Sequence, residues 1–187
     1  MDLYFGELGA AFLETKKEDR TMDMNQFSLV KHDPEILKLL ATTEHKAAAQ
    51  WALDCLNRVL PVFEGKYPDE KIPMHAVQIL KDWMNDKIPM WEARKYCWTV
   101  LKLARELEPQ DKASCQIVRA ASHCLATCHV PTHSEGTAMY AISAIQHLNR
   151  EKSKADTIAR MESERQWQMK RLLELREKSV SNAPVHP

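Results

Sequence analysis

Apolar side chains along most of this chain recur every three or four residues, which is the spacing of one face of an α-helix. The clearest run lies in residues 43–63, where apolar positions extend around most of the surface and predict a central, buried helix. No segment shows the period of two that is typical of strands. The pattern therefore predicts an all-α protein.

Prolines and glycines mark the expected helix boundaries. Pro34 follows Asp33, which is a suitable cap, and Pro61 and Gly65 are expected to end the second helix. The short connections between segments favour a single-domain antiparallel bundle of about six to seven helices. The expected helices cover 34–40, 43–63, a segment from Pro73, 89–107, 111–128, a segment from Thr132 to Leu148, and 152–178.

The chain divides into four regions by composition. Residues 34–149 form the expected helical core domain, and residues 1–33 are expected to be an N-terminal arm or a leader. Residues 150–180 form a long charged helix with a narrow apolar stripe, which predicts a surface position or an intersubunit arm. Residues 181–187 are expected to form a frayed tail.

Charge, hydropathy and cysteine content argue against nucleic-acid-binding, secreted and membrane-spanning proteins. The 187 residues hold 26 Lys and Arg against 26 Asp and Glu, so the chain lacks the basic balance of a nucleic-acid-binding protein. It shows neither a signal peptide nor an apolar run long enough to cross a membrane. Five cysteines, an odd number, favour reduced thiols. We expect a cytoplasmic protein without nucleic-acid or membrane partners and without a cofactor.

The clearest cluster of candidate metal-binding or catalytic side chains lies around His129 and His133. Four residues apart on one helix, they could bind a transition metal, with Cys128 adding sulfur. Pro131 and a capping box from Thr132 to Glu135 instead predict a helix break between them. The favoured interpretation is structural: both histidines would bond backbone groups freed at a buried junction. A binding or catalytic pocket is the alternative.

A second cluster lies on the 43–63 helix and contains Trp51, Asp54, Cys55 and Arg58. A carboxylate in an apolar helix needs a partner, because an unpaired buried charge is costly. Arg58 follows Asp54 by four residues, so an intrahelical ion pair is the favoured interpretation, and a pocket acid is the alternative.

Three further tryptophans belong to the expected core. They lie at positions 83, 91 and 98, on either side of a helix boundary. Large aromatic side chains at near-helical spacing more often fill a core than form a binding site.

Three stretches resemble the putative immunity proteins of bacterial polymorphic toxin systems. They are Trp51–Glu64, the turn Tyr67-Pro68-Asp69-Glu70 that leads to Pro73 and Ala76, and Ala126–Ala141 with His129, His133 and Tyr140. The resemblance runs from about His45 to Gln146. The chain departs from the family pattern at Ile72 and Met74, where basic residues are usual, and at Cys128, where alanine is usual.

The resemblance implies a cytoplasmic, all-helical bacterial protein that binds and neutralises a protein toxin. It places Tyr67 and Tyr140 among the candidate site residues. The alternative is a small-molecule-binding protein or an enzyme whose pocket is lined by Asp54, His129, His133 and Tyr140. A third interpretation is a homo-oligomer built through the C-terminal helix.

Overall fold

The computed structural model describes residues 32–181, with side chains as far as residue 178. This part of the chain contains helices and no strand, which confirms the all-α prediction. Residues 1–31 and 182–187, which hold most of the predicted arm and tail, lie outside the described residues. The helices are α1 (Pro34–Leu40), α2 (His45–Asn57), α3 (Leu60–Lys66), α4 (Ile72–Met84), α5 (Met90–Leu107), α6 (Lys112–Ala126), α7 (His133–Leu148) and α8 (Lys154–Ser181).

Helix α6 lies at the centre of the bundle and contacts α2, α3, α4, α5 and α7. Its sequence is rich in alanine, serine and cysteine, and ten of its 15 residues are buried. Small side chains let neighbouring helices approach closely, and the contacts of α6 are most extensive with α7 and α5. Gly136 of α7 shows how close this approach is, because a Cβ atom there would lie 2.3 Å from Nδ1 of His123.

Helix α8 lies on the outside of the bundle and buries one face against it. Met161, Leu172 and Leu175 are buried, and the helix contacts α1, α2 and α7. Leu172 and Leu175 share a second apolar cluster with Trp51 and the two buried residues of α1. The charged C-terminal helix is therefore attached to its own bundle along its length. An additional intersubunit role for it stays a prediction.

The expected helix over 43–63 is two helices, which corrects the prediction. Helix α2 ends at Asn57, and α3 begins at Leu60. Proline lacks an N–H group, and its ring clashes with the carbonyl four residues earlier. For Pro61 that carbonyl belongs to Asn57, so the first helix ends there and Pro61 takes a position in the first turn of α3. Gly65 lies inside α3 and does not stop it.

The capping box predicted at Thr132 is wrong. The Thr132 side chain makes no capping hydrogen bond to α7. Glu135 does not reach back to Thr132, because its buried carboxylate bonds His32 and accepts the backbone N–H of Asp33 at 2.9 Å. The side chain that was expected to cap α7 therefore anchors the segment that enters α1.

The three tryptophans expected in the core have different environments. Trp83 packs partly buried against the core. Trp91 is 57% exposed and Trp98 is 70% exposed, so the core prediction is wrong for both. They lie on α5 opposite its buried stripe of Ala93, Val100 and Ala104, which is the face that packs against the bundle.

Candidate functional site

A network of hydrogen bonds joins α2 to α8 and buries polar side chains between them. We call this network the α2–α8 polar interface; Trp51, Asp54, Arg58, Glu164, Gln168 and Arg171 form it. The Trp51 indole N–H donates to the backbone oxygen of Gln168 at 2.8 Å. The fully buried Gln168 side chain donates to the backbone oxygen of Ala138 at 3.1 Å and to Glu164 at 3.3 Å.

Asp54 and Arg58 do not pair with each other, which corrects the sequence prediction. Asp54 accepts from Arg171 at 2.7 Å and from Gln50 at 2.8 Å. Arg58 donates to the buried carboxylate of Glu164 at 2.7 Å, and its guanidinium lies 4.1 Å from the Trp167 ring. A spacing of four residues allows Asp54 and Arg58 to pair within α2. Arg171 and Glu164 of α8 pair with them instead, which also satisfies these two side chains of α8.

Cys55 is fully buried beside this interface. Burial raises the pKa of its thiol well above the ordinary value, and the charge of Glu164 adds to the shift. All five cysteines of the chain are free, as the sequence predicts. A protonated, buried thiol is a poor nucleophile and metal ligand. Cys55 is therefore a small core side chain in this structure.

Tyr67 lies apart from the α2–α8 polar interface, beside the start of α6. Its ring stacks on Phe63 at 5.2 Å, and its hydroxyl donates to Asp111 at 3.1 Å. Asp111 caps α6 by accepting the backbone N–H of Ser114, and Lys66 pairs with it at 2.5 Å. Burial alone would raise the pKa of Asp111, but the hydrogen bonds from Lys66 and Ser114 lower it to about 2. The arrangement secures the start of α6.

Imidazole rings gather where α6 ends and α7 begins. We call this cluster the histidine junction; it consists of His45, His123, His129, His133 and Tyr140. The His133 ring centroid lies 5.3 Å from that of His123 and 5.1 Å from that of His129. His123 also lies 5.0 Å from Tyr140. The structure thus brings three predicted site residues, His129, His133 and Tyr140, into one cluster with His123. Asp54 belongs instead to the α2–α8 polar interface.

The backbone groups freed at the break between α6 and α7 are satisfied without His129 and His133. Backbone turns join His129 to Ala126 and His133 to Val130, and the Ser134 hydroxyl donates to the Pro131 oxygen at 2.6 Å. The Thr127 oxygen accepts from Nε2 of His45 at 2.5 Å. The expected role of His129 and His133 as partners of these groups is therefore wrong, because backbone turns, Ser134 and His45 already fill it.

Two imidazole nitrogens of the histidine junction have no partner. They are Nδ1 of His123 and Nδ1 of His129, and both atoms are buried. Burial lowers the pKa of His123 to about 4, and the neighbouring His133 contributes to the shift. Burial also lowers the pKa values of His129 and His133. Neutral imidazoles offer one donor and one acceptor each, so both rings keep unused hydrogen-bonding capacity, although Nδ1 of His123 faces the Gly136 backbone of α7.

The candidate metal ligands His129, His133 and Cys128 do not converge on one point. Within residues 32–181, no three His, Cys, Asp or Glu side chains are arranged to hold a metal ion. Cys128 lies near α5, where its thiol faces the backbone oxygen of Met90 at 3.9 Å. Burial raises the pKa of this thiol to about 12, which opposes formation of the thiolate that a metal requires.

Several residues of these sites were not selected from the sequence. Glu164 and Gln168 interrupt the apolar stripe of α8, between Met161 and Leu172, and this spacing was an available signal of buried polar groups. No comparable signal pointed to Gly136, because its role depends on where the His123 ring lies.

The family comparison covers both polar regions. Residues 38–175 match the model of a family described as Imm-5 like putative immunity protein. The chain belongs to this family. The match extends the resemblance seen at 45–146 into α8, so the helix that completes the α2–α8 polar interface is part of the family's fold.

No curated protein and no solved structure matches the chain. Across the part of this family member that the structure describes, none of the helices combines the length and the apolar character needed to cross a membrane.

Proposed function

We propose that this protein is a cytoplasmic, bacterial immunity protein that neutralises a protein toxin by direct association. Membership of the Imm-5 like putative immunity protein family over residues 38–175 supports a toxin as the partner. Binding alone suffices for this function, because a bound protein that covers an active site blocks access of the substrate. The proposal requires no cofactor.

One structural observation carries the binding function. Trp91 and Trp98 are largely exposed on a single helix, while Trp51 is completely buried. Exposing a large aromatic surface to water costs free energy, which a partner recovers by covering it. Tryptophan is also enriched among the few residues that supply most of the binding energy of protein interfaces.

Co-expression with a candidate toxin domain, to be sought among the genes next to its own, tests the proposal. The wild-type chain should restore growth to cells that make the toxin, and the two purified proteins should form a stable complex in gel filtration. An immunity protein of an unrelated family is the control and should protect no cells. Full toxin activity in vitro with the chain in large excess would contradict neutralisation by association.

The unpartnered nitrogens of His123 and His129 support a second candidate function, small-molecule binding at the histidine junction. In this version of the predicted pocket, His123 joins His129, His133 and Tyr140 in place of Asp54. Native mass spectrometry of the purified protein is the test. A retained mass that is lost in the His123→Leu variant would favour this function, and the bare polypeptide mass would count against it. A dimer in the same spectrum would support the oligomer interpretation.

A further inference from the structure

The outer face of α5 carries a stripe of aromatic and basic side chains. Trp91, Lys95, Trp98, Lys102 and Arg105 follow one another at spacings of four, three, four and three residues, and all are exposed. Side chains at these spacings lie on one face of a helix, within about 40° of its centre line at about 100° per residue. We call this set the tryptophan stripe. At about 1.5 Å per residue it is about 21 Å long.

The two tryptophans present their rings differently. Nζ of Lys95 lies 4.4 Å from the centroid of the Trp91 ring, which is a cation–π contact that restrains both side chains. Trp98, the more exposed of the two, lies about two helical turns further along the same face. A restrained aromatic ring loses little conformational entropy when a partner covers it, which favours its use as an anchor.

The charge around these rings is positive. The four basic residues of α5 are Arg94, Lys95, Lys102 and Arg105, against two acidic residues, Glu92, which follows Trp91 directly, and Glu106. The pair between Lys102 and Glu106 is long, at 3.9 Å, and both side chains are largely exposed. The whole chain has a net charge of zero, so the local excess of basic charge is a property of this face.

We infer that the tryptophan stripe is the surface on which the toxin docks and that the toxin face opposite it is rich in carboxylates. This inference rests on the proposed function and adds the location and charge of the interface. Complementary charge speeds association and sets the orientation, and desolvated tryptophans supply the lasting contact. A second copy of the chain fits poorly, because a symmetric contact through this stripe would bring like charges together.

Two stripe variants and one matched control test the inference against the purified toxin domain. Trp98→Ala removes the more exposed anchor and should weaken the Kd by about 30-fold or more. Lys95→Glu with Lys102→Glu should slow association about tenfold and reduce its dependence on salt. Lys152→Glu with Lys170→Glu makes the same charge change at exposed positions outside α5 and should bind like the wild type. Melting temperatures near that of the wild type establish that each variant is folded.

The outcomes separate this inference from the proposed function. If the wild type neither binds the toxin nor protects cells, both are wrong. If the wild type binds and the stripe variants bind as tightly, the docking surface is wrong and the function stands. A concentration-dependent dimer that Trp98→Ala abolishes would assign the stripe to a second copy. Binding of a single-stranded oligonucleotide that needs Trp98 would assign it to nucleic acid, and either result overturns the inference.

Discussion

The α2–α8 polar interface and the histidine junction both bury polar side chains between helices, but their hydrogen bonding differs. In the first, the amide of Gln168 has donors and acceptors from two helices, and each charged residue has an oppositely charged partner. In the second, rings of His123 and His129 lie against other rings, and one nitrogen of each has no partner.

This difference separates buried polar groups that stabilise the fold from buried polar groups that contribute no hydrogen bond to it. A satisfied buried group stabilises its interface, and removing one member leaves the others unpaired. An unsatisfied buried group costs free energy, so its retention needs another reason. Neutral histidines reduce that cost, because they bury no charge. The α2–α8 polar interface is therefore structural, and the histidine junction is the better candidate for a ligand.

The largest effect is expected from Gly136→Ala, because a Cβ atom there would lie 2.3–2.9 Å from three atoms of the His123 ring. The ring is packed between helices and cannot move freely, so the free energy of unfolding should fall by about 3 kcal/mol. Gly65→Ala is the matched control, since nothing lies within 4 Å of its added Cβ, and it should gain about 0.5–1 kcal/mol. Denaturant unfolding measures both.

A double variant identifies the source of that loss. In a His123→Ala background the ring is absent, so Gly136→Ala should cost much less than in the wild type. An equal cost in both backgrounds would mean that the close approach of α6 and α7, and not the ring, limits this position.

The next effect compares the two regions directly by apolar replacement. Gln168→Met removes three hydrogen bonds from a fully buried position and leaves Glu164 and the Ala138 oxygen with one bond fewer each, so stability should fall by about 2 kcal/mol. His123→Leu removes a nitrogen that has no partner, so the change should stay within about 1 kcal/mol in either direction. Equal losses in the two variants would end the distinction between the regions.

Much of the fold could be predicted from the sequence. Periodicity indicated the helices, and prolines marked the starts of α1, α4 and α5 to within one or two residues. The break between α2 and α3 was not predicted. Pro61 was expected at the end of one long helix, whereas it lies in the first turn of α3, and a proline fits either position. The outward orientation of Trp91 and Trp98 follows from helical spacing, because both lie opposite the apolar stripe of α5, whereas the core prediction rested on residue type.

Less of the candidate site could be predicted. His129, His133 and Tyr140 were selected, and the structure brings them together. Asp54 resembles these residues in being a polar side chain on an apolar helix, but its partner Arg171 is 117 residues away in the chain. Glu135 was assigned to a local cap, whereas its partners lie more than 100 residues earlier. Partners at such separations depend on tertiary packing, which local patterns do not contain.

The response to pH sharpens the contrast further. The pKa of His123 is about 4 in the folded protein and 6.5 ordinarily, so the unfolded chain binds more protons between these values. Stability should therefore fall as the pH drops through 6.5 towards 4, and His123 alone accounts for about 2 kcal/mol between about pH 7 and about pH 5. His123→Leu should show a shallower fall than the wild type. Gln168→Met removes no titratable group and should keep the wild-type slope, and a reversed ranking would contradict the assignment.

The smallest effect concerns which partner Asp54 has. Double-mutant cycles with Asp54→Asn should give a coupling of about 1 kcal/mol with Arg171→Met, because the pair is partly buried and its atoms lie 2.7 Å apart. The cycle of Asp54→Asn with Arg58→Met should give almost no coupling, since Arg58 pairs with Glu164. The two cycles share one variant and the same type of replacement, so they serve as controls for each other. A larger coupling with Arg58 would restore the intrahelical pair and remove Asp54 from the α2–α8 polar interface.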